Sequence, residues 1–249
     1  MLNAFVYMFK DKNFLKKYLS LFGILLVANL LINWSGIYEP DLNGEATSIW
    51  YYILFFAGFI TMFIPYGFSI SLLRAKIDNV SEDELPSVNI VKNFLAGLKV
   101  VISGSLLVIP AVLFTYLFYF LNNNLLPKFG NLVFVITCAI LFLAFFIVSF
   151  FFISMCCRYV VKPSFLNFLN FKAAAQLINC NVSKYFKSCL LAALCTAVVY
   201  LIPVLFVSFL TMLGFIGLVI YCIIVSLLWA YHTYILAAIF SSAVETEKI

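Results

Sequence analysis

The amino-acid sequence reads as an all-α protein, a polytopic membrane helix bundle of about six transmembrane helices with two cytoplasmic in-plane amphipathic helices. Composition carries the first half of that reading. Of 249 residues 65% are hydrophobic and only 10% charged, and the mean hydropathy is +1.13, whereas charged residues make up about a quarter of an ordinary soluble domain. So much apolar surface has no core large enough to hide it, and the bilayer must be its solvent. Periodicity carries the second half. The apolar runs outlast the ~18 residues that mark a spanning helix and lack the period-two alternation of barrel strands. Because lipid offers a free backbone amide no partner, helices remain.

Residues 1–17 mix Leu2, Phe5, Val6 and Phe9 with Lys10, Asp11, Lys12, Lys16 and Lys17, the composition of an N-terminal interfacial helix on an anionic leaflet. Residues 18–34 are the first span, read as uncleaved because no small-x-small cleavage site follows. Residues 35–47, with Glu39, Asp41, Glu45, Gly36, Pro40 and Gly44, make a solvated loop. The second span, 48–73, stops at Arg74 and Lys76, where cations meet phosphates. An acidic run, Ser81-Glu82-Asp83-Glu84-Leu85-Pro86, precedes residues 86–99, which set Val88, Val91, Leu95 and Leu98 on one helical face and Asn89, Lys92 and Asn93 on another. That pattern predicts the first in-plane helix. Spans at 100–121 and 131–157 flank a polar tip containing Lys128. Residues 163–183 form the second in-plane helix, with Lys172, Gln176, Asn179 and Ser183 in one stripe. Spans at 188–211 and 215–243, joined by a tight turn at Met212 to Gly214, complete a single integral membrane domain of 1–249. Ile109-Pro110 and Ile202-Pro203 each stand near mid-span after an in-plane helix, which suggests an internal duplication.

Cation placement orients this scheme. With six spans and a cytoplasmic N-terminus, fourteen Lys and Arg residues are inside and only Lys128 is outside, so a cell membrane location with both termini cytoplasmic is expected. Lys92, Lys99, Lys172, Lys184 and Lys187 then lie on the cytoplasmic face, where each basic side chain near anionic lipid contributes ~1 kcal/mol. They are the candidate lipid-facing residues.

Three stretches carry a family resemblance: Phe9-Lys10-Asp11-Lys12-Asn13-Phe14-Leu15-Lys16-Lys17; Gly67-Phe68-Ser69-Ile70-Ser71-Leu72-Leu73-Arg74 followed by Glu82-Asp83-Glu84-Leu85-Pro86; and Phe94-Leu95-Ala96-Gly97-Leu98-Lys99. In them the chain resembles the prokaryotic membrane family known as domain of unknown function 4013, in which a Gly-Tyr span end with an Arg, an acidic Glu-Asp-Glu-Leu-Pro and a Gly-Leu-Lys follow one another. Phe68 stands where that family commonly has Tyr or Leu. The specific part covers residues 5–114, and the family carries no assigned activity, so the resemblance implies architecture and leaves function open.

Chemistry is sparse. All ten carboxylates fall in expected loops or tails, which argues against a proton- or sodium-coupled carrier. A lone His excludes H-E-x-x-H, no P-loop is present, and Gly67-Phe68-Ser69-Ile70-Ser71 lacks the second Gly of a nucleophile elbow. Seven cysteines, with no C-x-x-C pair, read as small apolar residues. We therefore expect no enzyme activity, no catalytic residue, no cofactor, no metal and no nucleic-acid partner. His232, flanked by Trp229, Tyr231 and Tyr234, is either a ligand contact or pH-sensitive bond, or a neutral ring satisfied by a neighbouring carbonyl or hydroxyl in an aromatic interface belt. Pro65, Pro110 and Pro203 bend spans, and Tyr66, Ser69, Ser71, Ser103, Ser105, Thr137, Ser149 and Tyr200 are candidates to line a cavity so opened. The candidate binding residues are Tyr66, Tyr200 and His232. The expected function is a non-enzymatic component that interacts with membrane lipids or with a membrane or cytoplasmic protein; the alternative is an uncoupled channel or facilitator for a small solute.

Overall fold

The computed structural model describes residues 5–35, 49–78, 80, 84–102, 105, 116, 150–162, 164 and 170–243. Outside them lie nearly all of the loop expected at 35–47, the acidic residues 81–83, most of the spans expected at 100–121 and 131–157, the Ile109-Pro110 half of the suggested repeat, and the tail from 244.

Among the described residues the elements are helices, with no strand. Four are long and apolar enough to cross a membrane: Phe14–Ser35, Ile49–Ile77, Val182–Val207 and Gly214–Ala243. The protein is a membrane protein. In chain order the helices are α1 (Phe14–Ser35), α2 (Ile49–Thr61), α3 (Phe63–Ile77), α4 (90–102), α5 (Phe150–Val161), α6 (Phe171–Cys180), α7 (Val182–Thr211) and α8 (Gly214–Ala243).

Helix α8 is the central post and packs against α7, α1 and α3. Its buried positions are dominated by small residues, Gly217, Cys222, Ser226, Ala230, Thr233, Ala237, Ala238 and Ala243. In lipid, helices gain no hydrophobic energy by leaving the acyl chains, so close backbone approach and interhelical hydrogen bonds hold them together. Both operate here. Asn29 Nδ2 of α1 donates to Ser226 Oγ at 2.9 Å, and the Phe68 ring of α3 meets Tyr234 edge-on at 5.8 Å. The turn into α8 is made at Gly214, whose φ of +56° lies in the left-handed region that favours glycine.

The second span is two helices. Pro65 has no N–H for the Thr61 carbonyl and its ring crowds that carbonyl, so α2 stops at Thr61 and α3 starts at Phe63. The Met62 N–H is shared between the Gly58 and Phe59 carbonyls, at 3.1 and 3.2 Å. From there α4 returns antiparallel to α3: Ser71 Oγ lies 3.2 Å from Asn93 Oδ1, the Phe63 and Phe94 rings are 5.7 Å apart, and Gly67 and Gly97 meet backbone to backbone. This register differs from the stripe read for 86–99. Asn93 is turned inward against α3, whereas Asn89 and Lys92, like Val91 and Leu95, are exposed.

The N-terminal segment is also tied in. A short turn of 3₁₀ helix, Tyr7–Lys10, precedes Asp11, whose Oδ1 accepts from Asn13 N–H at 2.7 Å and so opens α1 four residues before the expected span. Asp11 Oδ2 pairs with Lys17 Nζ at 2.6 Å and accepts from Leu85 N–H at 2.8 Å; Lys17 Nζ donates to the Leu85 carbonyl. Asp11 is 5% exposed. A charge expected on the membrane surface thus joins the N-terminus to the segment between α3 and α4.

Asparagines divide the α6–α7 region. Asn170 and Asn181 cap α6 and α7 by accepting from Ala173 N–H and Lys184 N–H at 3.0 and 3.1 Å. On α6, Lys172, Gln176 and Asn179 are exposed and Ala173, Ala174, Leu177 and Ile178 are buried. Tyr185 of α7, fully buried, donates its hydroxyl to the Phe150 carbonyl and accepts from Ser154 N–H at 3.2 Å, which locks α5 to α7.

A Cβ on Gly67 would lie 1.7 Å from the Asn93 carbonyl oxygen, and one on Gly97 1.8 Å from that of Phe63. Gly67→Ala and Gly97→Ala should each lower stability by about 2 kcal/mol or more in reversible unfolding in bicelles, as overpacked contacts do. Gly23→Ala, with open space around it, should be neutral or slightly stabilising. Lys17→Met, which strands a buried carboxylate, should cost about 3 kcal/mol in the same assay. Adding Asp11→Asn should recover much of that loss, since the uncompensated charge is then gone.

Candidate functional site

Three helices offer one residue per turn to a common space. Leu25, Asn29 and Ile32 of α1, Tyr66, Ser69 and Leu73 of α3, and Trp229, His232, Leu236 and Phe240 of α8 line a cavity of about 510 Å³. Spacings of three and four place each set on one helical face. The break at Met62 and Pro65 forms part of the wall, as do Cys156 of α5 and Tyr200 of α7. Along α8 the lining runs from Val225 to Phe240, about 22 Å at 1.5 Å per residue, so the space is elongated along the helices.

The cavity has an open and a closed side. Tyr66 and Tyr200 line it yet are 42% and 54% exposed, whereas Asn29 and His232 are 9% and 3% exposed. Its walls between them are apolar, and among the described lining residues none is Asp, Glu, Lys or Arg. Tyr200 packs edge-on against Trp229 at 5.5 Å, and Trp229 against His232 at 5.8 Å, an aromatic ladder from the open side to the closed one.

Hydroxyl bonds decide what the closed side presents. Thr196 Oγ1 donates to the Ala192 carbonyl at 2.8 Å, so its contact of 3.0 Å with His232 Nε2 requires the ring to donate. His232 is therefore in the Nε2–H form with Nδ1 as an acceptor. Ser226 Oγ donates to the Cys222 carbonyl at 2.6 Å, so Asn29 must turn its amide nitrogen to Ser226 and its Oδ1 away. Ser69 and Thr233 donate their hydroxyl protons to the carbonyls of Pro65 and Trp229, at 3.0 and 2.9 Å.

All three candidate binding residues, Tyr66, Tyr200 and His232, fall on this cavity, together with Ser69. Ser71 does not and turns to Asn93, while Ser105 bonds the Ile102 carbonyl at 2.8 Å; Ser103, Thr137 and Ser149 are outside the described residues. Sequence reasoning missed Asn29 and Thr233, although a lone amide mid-span is itself a signal of an inward-facing contact. Lys92, Lys99, Lys172, Lys184 and Lys187 are exposed and away from the cavity. Lys99 is the exception in depth: two turns beyond Lys92, it lies level with the start of α3, about 16 Å along the helix from Arg74. Of the cysteines, Cys156, Cys157 and Cys222 are buried and unpaired, and Cys157 Sγ approaches the Phe240 carbonyl at 3.5 Å.

The Asn29–Ser226 bond should be worth about 1 kcal/mol. Asn29→Ala and Ser226→Ala should each lose that much in a bicelle unfolding titration, and the double variant should lose less than their sum.

Compared with known proteins, the chain matches the family described as protein of unknown function DUF4013 over residues 51–209, from α2 nearly to the end of α7. No curated protein and no solved structure matches it. The matched region holds Tyr66, Tyr200 and the five lysines; His232 lies beyond it.

Proposed function

Since the chain belongs to the DUF4013 family, whose description assigns no activity, we propose its function from its cavity: a non-enzymatic, lipid-interacting membrane component that admits a mostly apolar molecule from the side. The observation that carries this reading is the gradient from half-exposed Tyr66 and Tyr200 to buried Asn29 and His232 across apolar walls. A volume of about 510 Å³ falls inside the ~300–1,000 Å³ of small-molecule sites. No described lining residue is charged, which favours holding over bond-breaking chemistry.

In this proposal the protein sits in the cell membrane with both termini in the cytoplasm. Lys92, Lys172, Lys184 and Lys187 engage anionic headgroups, whereas Lys99, about 16 Å along the helix from Arg74, is too deep for its side chain to join them. Exposed Val182 and Phe186 beside Lys184 and Lys187 support the same arrangement at the start of α7. A second reading, an uncoupled facilitator for a small solute, draws on the helix break at Met62, which lies on the cavity wall.

Native mass spectrometry of protein extracted with its lipid in polymer discs tests the proposal. A low-polarity molecule retained at one per chain, and lost when Ser69→Phe fills the cavity, is the expected result. Nothing retained, or retention indifferent to Ser69→Phe, overturns it. A stoichiometric protein partner would redirect the function to assembly, and solute flux above background in vesicles would favour the facilitator.

A further inference from the structure

The polar atoms at the closed side of the cavity are nearly all of one kind. Asn29 presents Oδ1 because its amide nitrogen is committed to Ser226. His232 presents Nδ1 because Nε2–H is committed to Thr196. Ser69 and Thr233 have spent their hydroxyl protons on backbone carbonyls, which leaves only lone pairs. Among the described residues neither Asn29 Oδ1 nor His232 Nδ1 has a protein partner, and neither is among the sealed, unsatisfied polar atoms. Both side chains line the cavity. Donors that remain, the hydroxyls of Tyr66 and Tyr200 and the indole N–H of Trp229, belong to the aromatic side of the cavity.

An array of bare acceptors in an apolar cavity repels a carboxylate or phosphate, since lone pairs would face lone pairs with no cation to offset them. It also gives a bare ammonium no counter-charge, because no described lining residue is acidic. What it satisfies is a neutral donor. Resting on the cavity reading above, we infer that the molecule held here is an uncharged amphiphile with a free hydroxyl, its O–H directed at His232 Nδ1 or Asn29 Oδ1 and its apolar body lying along α8 between α1 and α3. The elongated lining, from Val225 to Phe240, suits a chain parallel to the helices.

Trp229 reports occupancy directly. With Trp34 and Trp50 replaced by Phe, the protein in lipid nanodiscs is titrated with a long-chain primary alcohol brominated at mid-chain, with its methyl ether, and with the matching carboxylic acid, while tryptophan quenching is followed. Saturable quenching by the alcohol, about tenfold weaker for the ether and, at a pH that keeps it ionised, for the acid, is expected, since neither the ether nor the carboxylate can donate a hydrogen bond to a buried acceptor. In His232→Phe the preference for alcohol over ether should shrink. Should that variant fail to fold, the three probes on the parent protein still decide the matter. Equal affinity for alcohol and ether overturns the hydroxyl assignment but leaves the cavity as a binding site. Preference for the ionised acid overturns the acceptor argument. Quenching that never saturates with any probe removes the cavity reading itself.

Discussion

Close approach of helix backbones, possible only where side chains are small, governs the rest of this structure. Lipid removes the hydrophobic incentive for helices to associate, so contact must come from dispersion at short range and from hydrogen bonds between spans. Helix α8 meets α7, α1 and α3 through Gly217, Cys222, Ser226, Ala230, Ala237 and Ala238, and α3 meets α4 through Gly67 and Gly97. At each of these places a larger side chain would separate the helices and forfeit the contacts on either side of it.

The cavity follows from what those contacts do not fill. Where α8 carries Trp229, Leu236 and Phe240 in place of small residues, and where Pro65 breaks the second span, α1, α3 and α7 cannot close on one another. The space left is apolar because spans are apolar. Its few polar atoms are acceptors because hydroxyls in helices return their protons to the carbonyl one turn back, as Ser69, Thr196 and Thr233 do. Local backbone chemistry thus sets the polarity of a site assembled from four distant parts of the chain.

At the ends of the bundle, buried electrostatics replaces packing. Asp11, Lys17 and the backbone of Leu85 join two segments that are far apart in sequence, and Tyr185 bridges both ends of one turn of α5. Neither was visible in the chain. Asp11 has the surroundings of a surface charge, among four lysines, and only the fold brings a backbone N–H and one of those lysines over it. Tyr185 reads as one aromatic among 14 tyrosines and 29 phenylalanines.

Composition and hydropathy require a membrane protein, and long apolar runs without period-two alternation make it helices and not a closed barrel. Three residues of the cavity wall were also legible. Tyr66 sits beside a helix-breaking proline, Tyr200 sits near another, and His232 is a lone ionisable group in an apolar run, each a local anomaly in a span. Asn29 and the acceptor bias were not legible, since the direction of an amide or an imidazole depends on partners 197 and 36 residues away. The same limit explains 86–99. Its stripe of polar and apolar residues is real, but whether the polar side meets water or another helix is set by what lies across from it, and Gly67 and Gly97 bring α3 close enough to take Asn93. Periodicity is a property of one helix; the neighbour it faces belongs to the tertiary structure.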